Sequence, residues 1–227
     1  MSTILIIGAS RGIGYELALQ YTAEGERVIA TARDEEGLAK LRDLGCEPLK
    51  LDVVDPASVS GLAWQLDGER IDIAWQVAGV MCNRANAQTP PSQQEFDRVM
   101  HANVLGPMQV IPQVAPLVEF SKAPGGGRFG FISSEMGHIG SVGGSGAWLY
   151  RVSKSALNMA VASARHSYPQ ATFVSFHPGW VQTAMGGESA PVTVQDSAAG
   201  LRRALASATR ADSGSFQRYD GSRLAGW

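Results

Sequence analysis

Cysteine is scarce in this chain of 227 residues: only Cys46 and Cys82 are present. A small secreted scaffold stapled by disulfides needs many more, and no C-x-x-C pair or zinc-ligand spacing occurs. Both are read as reduced thiols. Histidine is almost as sparse, and His101, His138, His166 and His177 follow no ligand spacing, so no metal site is expected. Long hydrophobic runs are missing, which argues against a membrane span. Met1-Ser2-Thr3 runs directly into apolar residues with no basic segment before them, unlike a signal peptide. A dominant charge is also lacking. Nineteen Lys and Arg stand against 21 Asp and Glu, for a net charge of −2, so nothing draws the chain to nucleic acid or an anionic membrane. These absences point to a soluble, cytoplasmic protein with a small-molecule partner.

What is present is a rhythm. Short apolar runs at 3–7, 27–32, 47–51, 71–77, 128–133, 171–177 and 215–219 read as strands. Stretches with helical periodicity fall between them, at 12–23, 35–44, 57–66, 93–119, 147–167 and 194–208. The run 93–119 is expected to be interrupted at Gly106-Pro107 and Pro112. The glycine-rich 137–146 and polar 179–191 segments read as loops. Strand–helix alternation without a linker or repeat predicts one domain over 1–227. Its fold class is α/β, a Rossmann-type doubly wound parallel sheet with helices on both faces. Ligands in such sheets bind beyond the carboxyl ends of the strands. That directs attention to the loops starting at Gly8, Gly79, Ser133 and Pro178.

The first of these loops reads Gly8-Ala-Ser10-Arg11-Gly12-Ile13-Gly14, between a strand and a helix. Glycine there allows a tight turn and close approach of backbone to a pyrophosphate, and the helix N-terminus offers unpaired N–H groups. A plain tight turn would use glycine as well, but the flanking strand and helix favour a dinucleotide. An NAD site commonly has an acidic residue at the end of the second strand. Here Ala32-Arg33 stands in its place. An arginine can fork onto a 2′-phosphate that a carboxylate would repel, so NADP(H) is favoured over NAD. Further on, Tyr150 and Lys154 are spaced to share one helical face. A nearby ammonium should lower the phenol's pKa and fit it for acid–base work.

The G-x-x-x-G-x-G spacing and the Tyr150-x-x-x-Lys154 pair resemble the short-chain dehydrogenase/reductase family along nearly the whole chain. The resemblance implies hydride transfer between NADP(H) and a small-molecule carbonyl–alcohol pair. It implies that Ser134, in Ser134-Glu-Met-Gly137, polarises the carbonyl, that Tyr150 is the acid–base and that Lys154 lowers its pKa and holds the nicotinamide ribose. It selects Ser134 over Ser133. Asn103 would complete the set through a break in the long helix that positions a water leading to the lysine. Arg11 resembles the basic residue of NADP-preferring members. Asp52 and Val53 would hold adenine, Ala78 and Gly79 would approach the cofactor, and Pro178, Gly179, Val181 and Thr183 would fix the nicotinamide amide. The family usually has Asn-Asn-Ala-Gly where this chain has Gln76-Val77-Ala78-Gly79, which takes away one amide near the cofactor.

The segment from His177 to Gly187, Ala190-Pro191, and Tyr219-Asp220-Gly221 are similar to the sniffer-like carbonyl reductases and C-factor-like proteins. The C-factor side leaves an alternative, a non-catalytic dinucleotide-binding sensor or signalling protein. The family also implies a homodimer through its two long central helices. His138, Trp148, Met136 and Met185 would flank the pocket or simply pack, and Trp227 would pack on the domain or on a partner.

Overall fold

The computed structural model describes residues 1–226; Trp227 lies outside the described residues. Strand β1 (Thr3–Ile7) leads into helix α1 (Gly12–Ala23), followed by β2 (Arg27–Ala32), α2 (Glu35–Asp43) and β3 (Glu47–Lys50). Two short helices, α3 (Pro56–Ser60) and α4 (Leu62–Gln65), precede β4 (Ile73–Gln76). Next come α5 (Gln93–Met100), α6 (Gly106–Glu119), β5 (Arg128–Ile132), α7 (Trp148–Ala164), β6 (Thr172–His177), α8 (Val194–Ser207) and β7 (Ser215–Arg218). The strands form one sheet in the order β3-β2-β1-β4-β5-β6-β7. Every pairing is parallel.

Alternation along β1 explains how the sheet is covered on both sides. Ile4 and Ile6 enter a core with Leu17 of α1, Leu41 of α2 and Leu201 of α8. Leu5 and Ile7 enter a second core with Leu62 of α4, Val110 of α6 and Leu157 of α7. This is the doubly wound arrangement expected from the sequence. The strand order reverses between β1 and β4, which opens a crevice at their carboxyl ends.

The expected helix at 57–66 is divided at Gly61 into α3 and α4. The expected interruption of 93–119 lies earlier than its prolines suggest. A π-helical turn, His101–Leu105, separates α5 from α6. Pro107 occupies the first turn of α6, where no donor is needed, and Pro112 and Pro116 run inside the helix. An interior proline costs about 3 kcal/mol. Val110, Ile111, Val114 and Val118 are all buried on that helix, and each buried side chain returns roughly 1.5–3 kcal/mol, so packing holds α6 together. Among the described residues, no helix is long and apolar enough to cross a membrane.

Gly130 tests the packing of β5 against its neighbours. A Cβ there would lie 2.4 Å from the Trp75 ring and 3.0 Å from Leu205 Cδ2. Gly130→Ala is expected to lower unfolding stability by about 1–3 kcal/mol through overpacking. Urea titration should show a lower midpoint with an unchanged slope.

Candidate active site

The glycine turn is shaped by a lack of space. Gly8 has φ +88°, and a Cβ on it would sit 2.7 Å from the Ala78 nitrogen. A Cβ on Gly14 would lie 2.1 Å from the Gly8 carbonyl oxygen. β1, β4 and the start of α1 therefore approach more closely than side chains allow. Arg11 stands at the N-cap of α1, and no side chain caps that helix. The amides of Gly12, Ile13 and Gly14 are thus left for an anion. Thr183 faces this turn, with its methyl 3.5 Å from where a Gly12 Cβ would be. These features fit a dinucleotide: a cradle that side chains would fill, and an uncapped helix at its floor.

The second-strand corner fits a phosphate. Gly37 of α2 is wedged against Ser10 and Ala32, the residues that precede Arg11 and Arg33 in the chain. The Arg33 side chain is 67% exposed and meets Asp34 only at 3.8 Å. Asp34 spends its other oxygen on the α2 cap, accepting from the Gly37 amide at 2.8 Å. Asp52 lies beyond the end of β3 and accepts from the Val54 amide at 3.1 Å, so it shapes its own turn. Val53 is buried, and its carbonyl lies against Gly106.

The candidate catalytic residues converge at the carboxyl end of β5. Ser134, Tyr150, Lys154 and Asn103 are all buried. Ser134 starts a 3₁₀ turn, Glu135–Gly137, and its Oγ accepts from the Met136 amide at 3.2 Å. Its hydroxyl is near enough to the Tyr150 phenol to act on that group's ionisation. Ser133 points elsewhere, donating to the Lys154 carbonyl at 3.4 Å, so the geometry separates the two serines as the S-x-x-G pattern did. Lys154 Nζ donates to the Ile132 carbonyl at 2.9 Å and lies 5.6 Å from the Tyr150 ring centroid. Gly79 sits beside it, since a Cβ there would be 3.5 Å from Nζ. Asn103 lies in the π-helical turn. Its Oδ1 accepts from the Val80 amide at 2.8 Å, and its Nδ2 donates to the Val80 carbonyl at 2.9 Å and to Ser153 Oγ at 3.0 Å.

Burial acts on both the tyrosine and the lysine, and Lys154 is not among the groups that shift the phenol in this arrangement. Desolvation pushes the Tyr150 phenol from 10.0 up to about 12, with the Ser134 hydroxyl acting in the opposite direction. Lys154 is turned to a backbone carbonyl, and its own pKa falls from 10.5 to about 8 because a buried ammonium is poorly solvated.

On the opposite wall, the Pro178 carbonyl accepts from Ser197 Oγ at 2.7 Å, fixing the start of α8. Gly179 packs against Tyr219 and Val192. Val181 is bridged to Val192, and Thr183 Oγ1 accepts from the Gly186 amide at 3.2 Å. Gln76 replaces an asparagine of the usual motif; its Nε2 donates to the Ala78 carbonyl at 3.4 Å, and its Oε1 is buried without a partner. His138 is structural: it is buried, with Nδ1 2.6 Å from Ser141 Oγ and Nε2 3.0 Å from the Ala225 carbonyl. Met136 packs around Tyr150 together with Cys82 and Met81, whereas Met185 is partly exposed on the 179–191 loop.

Sequence reasoning missed Ser153, Glu135 and Ala147. Ser153 links Asn103 to α7 and donates to the Tyr150 carbonyl at 2.8 Å; its place inside the Tyr-x-x-x-Lys motif was the available signal. Ala147 precedes α7 with φ +54°, the one non-glycine residue at positive φ among the described residues. Such backbone conformations cost about 1–3 kcal/mol and concentrate at functional sites.

A short chain dehydrogenase family model matches residues 2–192. The chain belongs to that family of oxidoreductases. It is 32% identical over 235 residues to a 1-hydroxy-2-glutathionyl-2-methyl-3-butene dehydrogenase of Rhodococcus sp. strain AD45, covering 99% of both chains. Among solved structures it is similar to the carbonyl reductase Sniffer of D. melanogaster (TM-score 0.90, 29% identity, 100% of both chains). It is also similar to an NADPH-bound carbonyl reductase from chicken fatty liver (TM-score 0.89, 27% identity, 100% of this chain and 99% of that one).

The buried lysine predicts a pH dependence. Between about pH 8 and 10 the unfolded chain holds the Lys154 proton more tightly than the folded one, so this group makes stability rise with pH. Above 10 the Tyr150 phenol, which ionises near 10.0 unfolded and near 12 folded, acts the other way. The stability difference between parent and Lys154→Met, measured by urea titration across this range, should shift in the parent's favour as pH rises.

Proposed function

We propose that this protein is an NADP(H)-dependent carbonyl reductase or alcohol dehydrogenase acting on a small-molecule carbonyl–alcohol pair. The observation that carries this reading is the convergence of Ser134, Tyr150 and Lys154 at the end of β5, across the crevice from the glycine cradle of β1. When bound, NADPH supplies the hydride and NADP⁺ accepts it. The amides of Gly12, Ile13 and Gly14, with Gly8 and Ser10 shaping the turn, hold the pyrophosphate; Arg11 and Arg33 take the 2′-phosphate. Asp52 and Val53 border the adenine, and Ala78 and Gly79 line the ribose side. Lys154 and Tyr150 hold the nicotinamide ribose. Pro178, Gly179, Val181 and Thr183 fix the carboxamide and thereby the face presented.

Ser134 donates to the substrate oxygen and stabilises the charge growing on it. Tyr150 keeps its proton at neutral pH and lies beside Ser134, placed to give that proton to a carbonyl oxygen or, in reverse, to take one from an alcohol. Lys154, near 8, gains and loses a proton within the working range, and Asn103 ties its surroundings to Val80 and α7. Both the Rhodococcus dehydrogenase and the chicken reductase have names that fit a carbonyl–alcohol substrate. A purely binding sensor of C-factor type has no use for this convergence of Ser134, Tyr150 and Lys154.

Both cysteines are buried free thiols, which supports residence in the cytoplasm. Exposed Leu105 at the end of the π-helical turn and Met108 on α6, with Val152 and Met159 on α7, support pairing of two copies. Sedimentation should then give twice the chain mass, reduced to one by Met159→Glu with Met108→Glu.

The main test is NADPH oxidation with a panel of aldehydes, ketones and quinones. Tyr150→Phe should lower kcat by ~100-fold or more while NADPH affinity is kept. Arg33→Asp should weaken NADPH binding about tenfold or more and leave NADH binding nearly unchanged. A parent that binds NADPH yet turns over no carbonyl or alcohol would overturn the reading.

A further inference from the structure

We propose that Glu135 is a positioning residue for Ser134, held in place by His177 and Arg218. The proposal rests on the catalytic role assigned above to Ser134.

The direction of the Ser134 hydroxyl is set by the turn it begins. Its Oγ accepts from the Met136 amide at 3.2 Å, which leaves its own proton to be donated into the site. That turn is fastened at both ends. At the far end Gly137 lies flat on α7, where a Cβ would be 2.7 Å from the Lys154 Cβ, and the Gly137 carbonyl accepts from Ser155 Oγ at 2.8 Å. At the near end the Glu135 carboxylate reaches the sheet. Its Oε1 accepts from Arg218 Nη2 at 2.9 Å, and its Oε2 lies 3.5 Å from His177 Nε2. His177 and Arg218 are the last residues of β6 and β7. The carboxylate therefore ties the serine turn to two neighbouring strand ends.

Both oxygens of Glu135 are engaged, so it braces the turn and is not a proton donor to substrate. His177 is 16% exposed, with Nδ1 buried and unpartnered. Burial holds its pKa below the usual value of 6.5, so near neutrality it is uncharged, and the tautomer that fits carries its proton on Nε2, toward the carboxylate. Glu135 from the turn and Arg218 from β7 are the charged groups that act on it.

The fold itself does not need this brace. β5, β6 and the segment after β7 are joined by backbone bonds, Ser133 N to the Phe176 carbonyl at 2.7 Å and Tyr219 N to the His177 carbonyl at 2.8 Å. Glu135 and Arg218 are 37% and 36% exposed, so solvent screens their attraction and its worth to stability is small. Its removal should be felt in the aim of the Ser134 hydroxyl, because small misplacements of a reacting group are costly to rate.

The test is a double-mutant cycle on the carbonyl-reducing activity. Glu135→Ala should lower kcat about tenfold, with NADPH affinity and Tm unchanged, and Glu135→Gln should recover part of the loss. Ser134→Ala with Glu135→Ala should be no slower than Ser134→Ala alone, since a brace has no effect once the group it aims is gone. Additive losses in the double variant, a fall in Tm that tracks the fall in rate, or a kcat for Glu135→Ala within about twofold of the parent would each overturn the proposal. If the parent itself reduces no carbonyl, the functional reading fails, and the brace is judged by the NMR titration of the His177 ring. Its midpoint should fall in Glu135→Gln and rise in Arg218→Ala; a midpoint that stays put in both overturns the brace as well.

Discussion

Gly8 has no room for a side chain, and the site depends on that. Its Cβ would strike the backbone of Ala78, the residue that follows the end of β4 by two. The amides of Val77 and Ala78 both turn back to the Ile7 carbonyl, at 2.9 and 3.0 Å. The carboxyl ends of β1 and β4 are thus locked together where the strand order reverses. From that junction α1 leaves on one face of the sheet and the Val80 segment leaves toward Asn103 on the other. A larger residue at position 8 would push these two departures apart. The uncapped start of α1 and the Asn103–Ser153 link to α7 would then no longer face the same crevice.

The second constraint is electrostatic. Lys154 is 4% exposed, and among the described residues its ammonium has one hydrogen bond, to the Ile132 carbonyl. Burying an ammonium without a carboxylate partner is unfavourable, which is why its pKa sinks toward neutrality. Tyr150 beside it is forced the other way for the same reason, since a phenolate would also be poorly solvated. The shared cause is desolvation. It keeps the proton on the phenol and loosens it from the ammonium, so the two pKa values move toward opposite sides of their ordinary positions.

How much of this could be read from sequence follows the range of the interaction concerned. The glycine turn, the alternation of strands and helices and the Tyr150–Lys154 spacing are local patterns, and the structure has all three. The π-helical turn at His101–Leu105 holds Asn103, where the family resemblance implied a break; Pro112, also expected to interrupt the helix, sits within α6, where packing overrides it. The direction of the Tyr150 shift depends on burial by Cys82, Val99 and Leu149, which lie on separate elements. Spacing between two residues carries no information about that. Glu135, His177 and Arg218 are brought together only by the order of β5, β6 and β7, so no period in the chain marks them. Whether His138 flanks the pocket or packs could not be read from its loop, because its partner Ala225 is 87 residues away.

Several unfavourable features persist in the fold, and the elements that hold them explain why. The sheet interior away from the crevice is apolar and tightly filled, with Phe129, Phe131 and Phe173 stacked together. The positive φ of Ala147, the buried ammonium of Lys154 and the unpartnered Gln76 Oε1 and His177 Nδ1 lie toward the carboxyl edge. Asn158, Thr172, Ser175 and Arg202 also carry unpartnered atoms: Thr172 starts β6 and Ser175 lies in its middle, while Asn158 belongs to α7 and Arg202 to α8. A few kcal/mol of strain and desolvation is affordable only because the two apolar cores are large. Groups that would be better solvated in water are held instead by elements fixed elsewhere: Ala147 by the start of α7, Lys154 by α7 and β5, His177 by β6. The stable part of the fold therefore sets the geometry of its least stable part, and a substitution in either core should reach the site chiefly by moving these strand and helix ends.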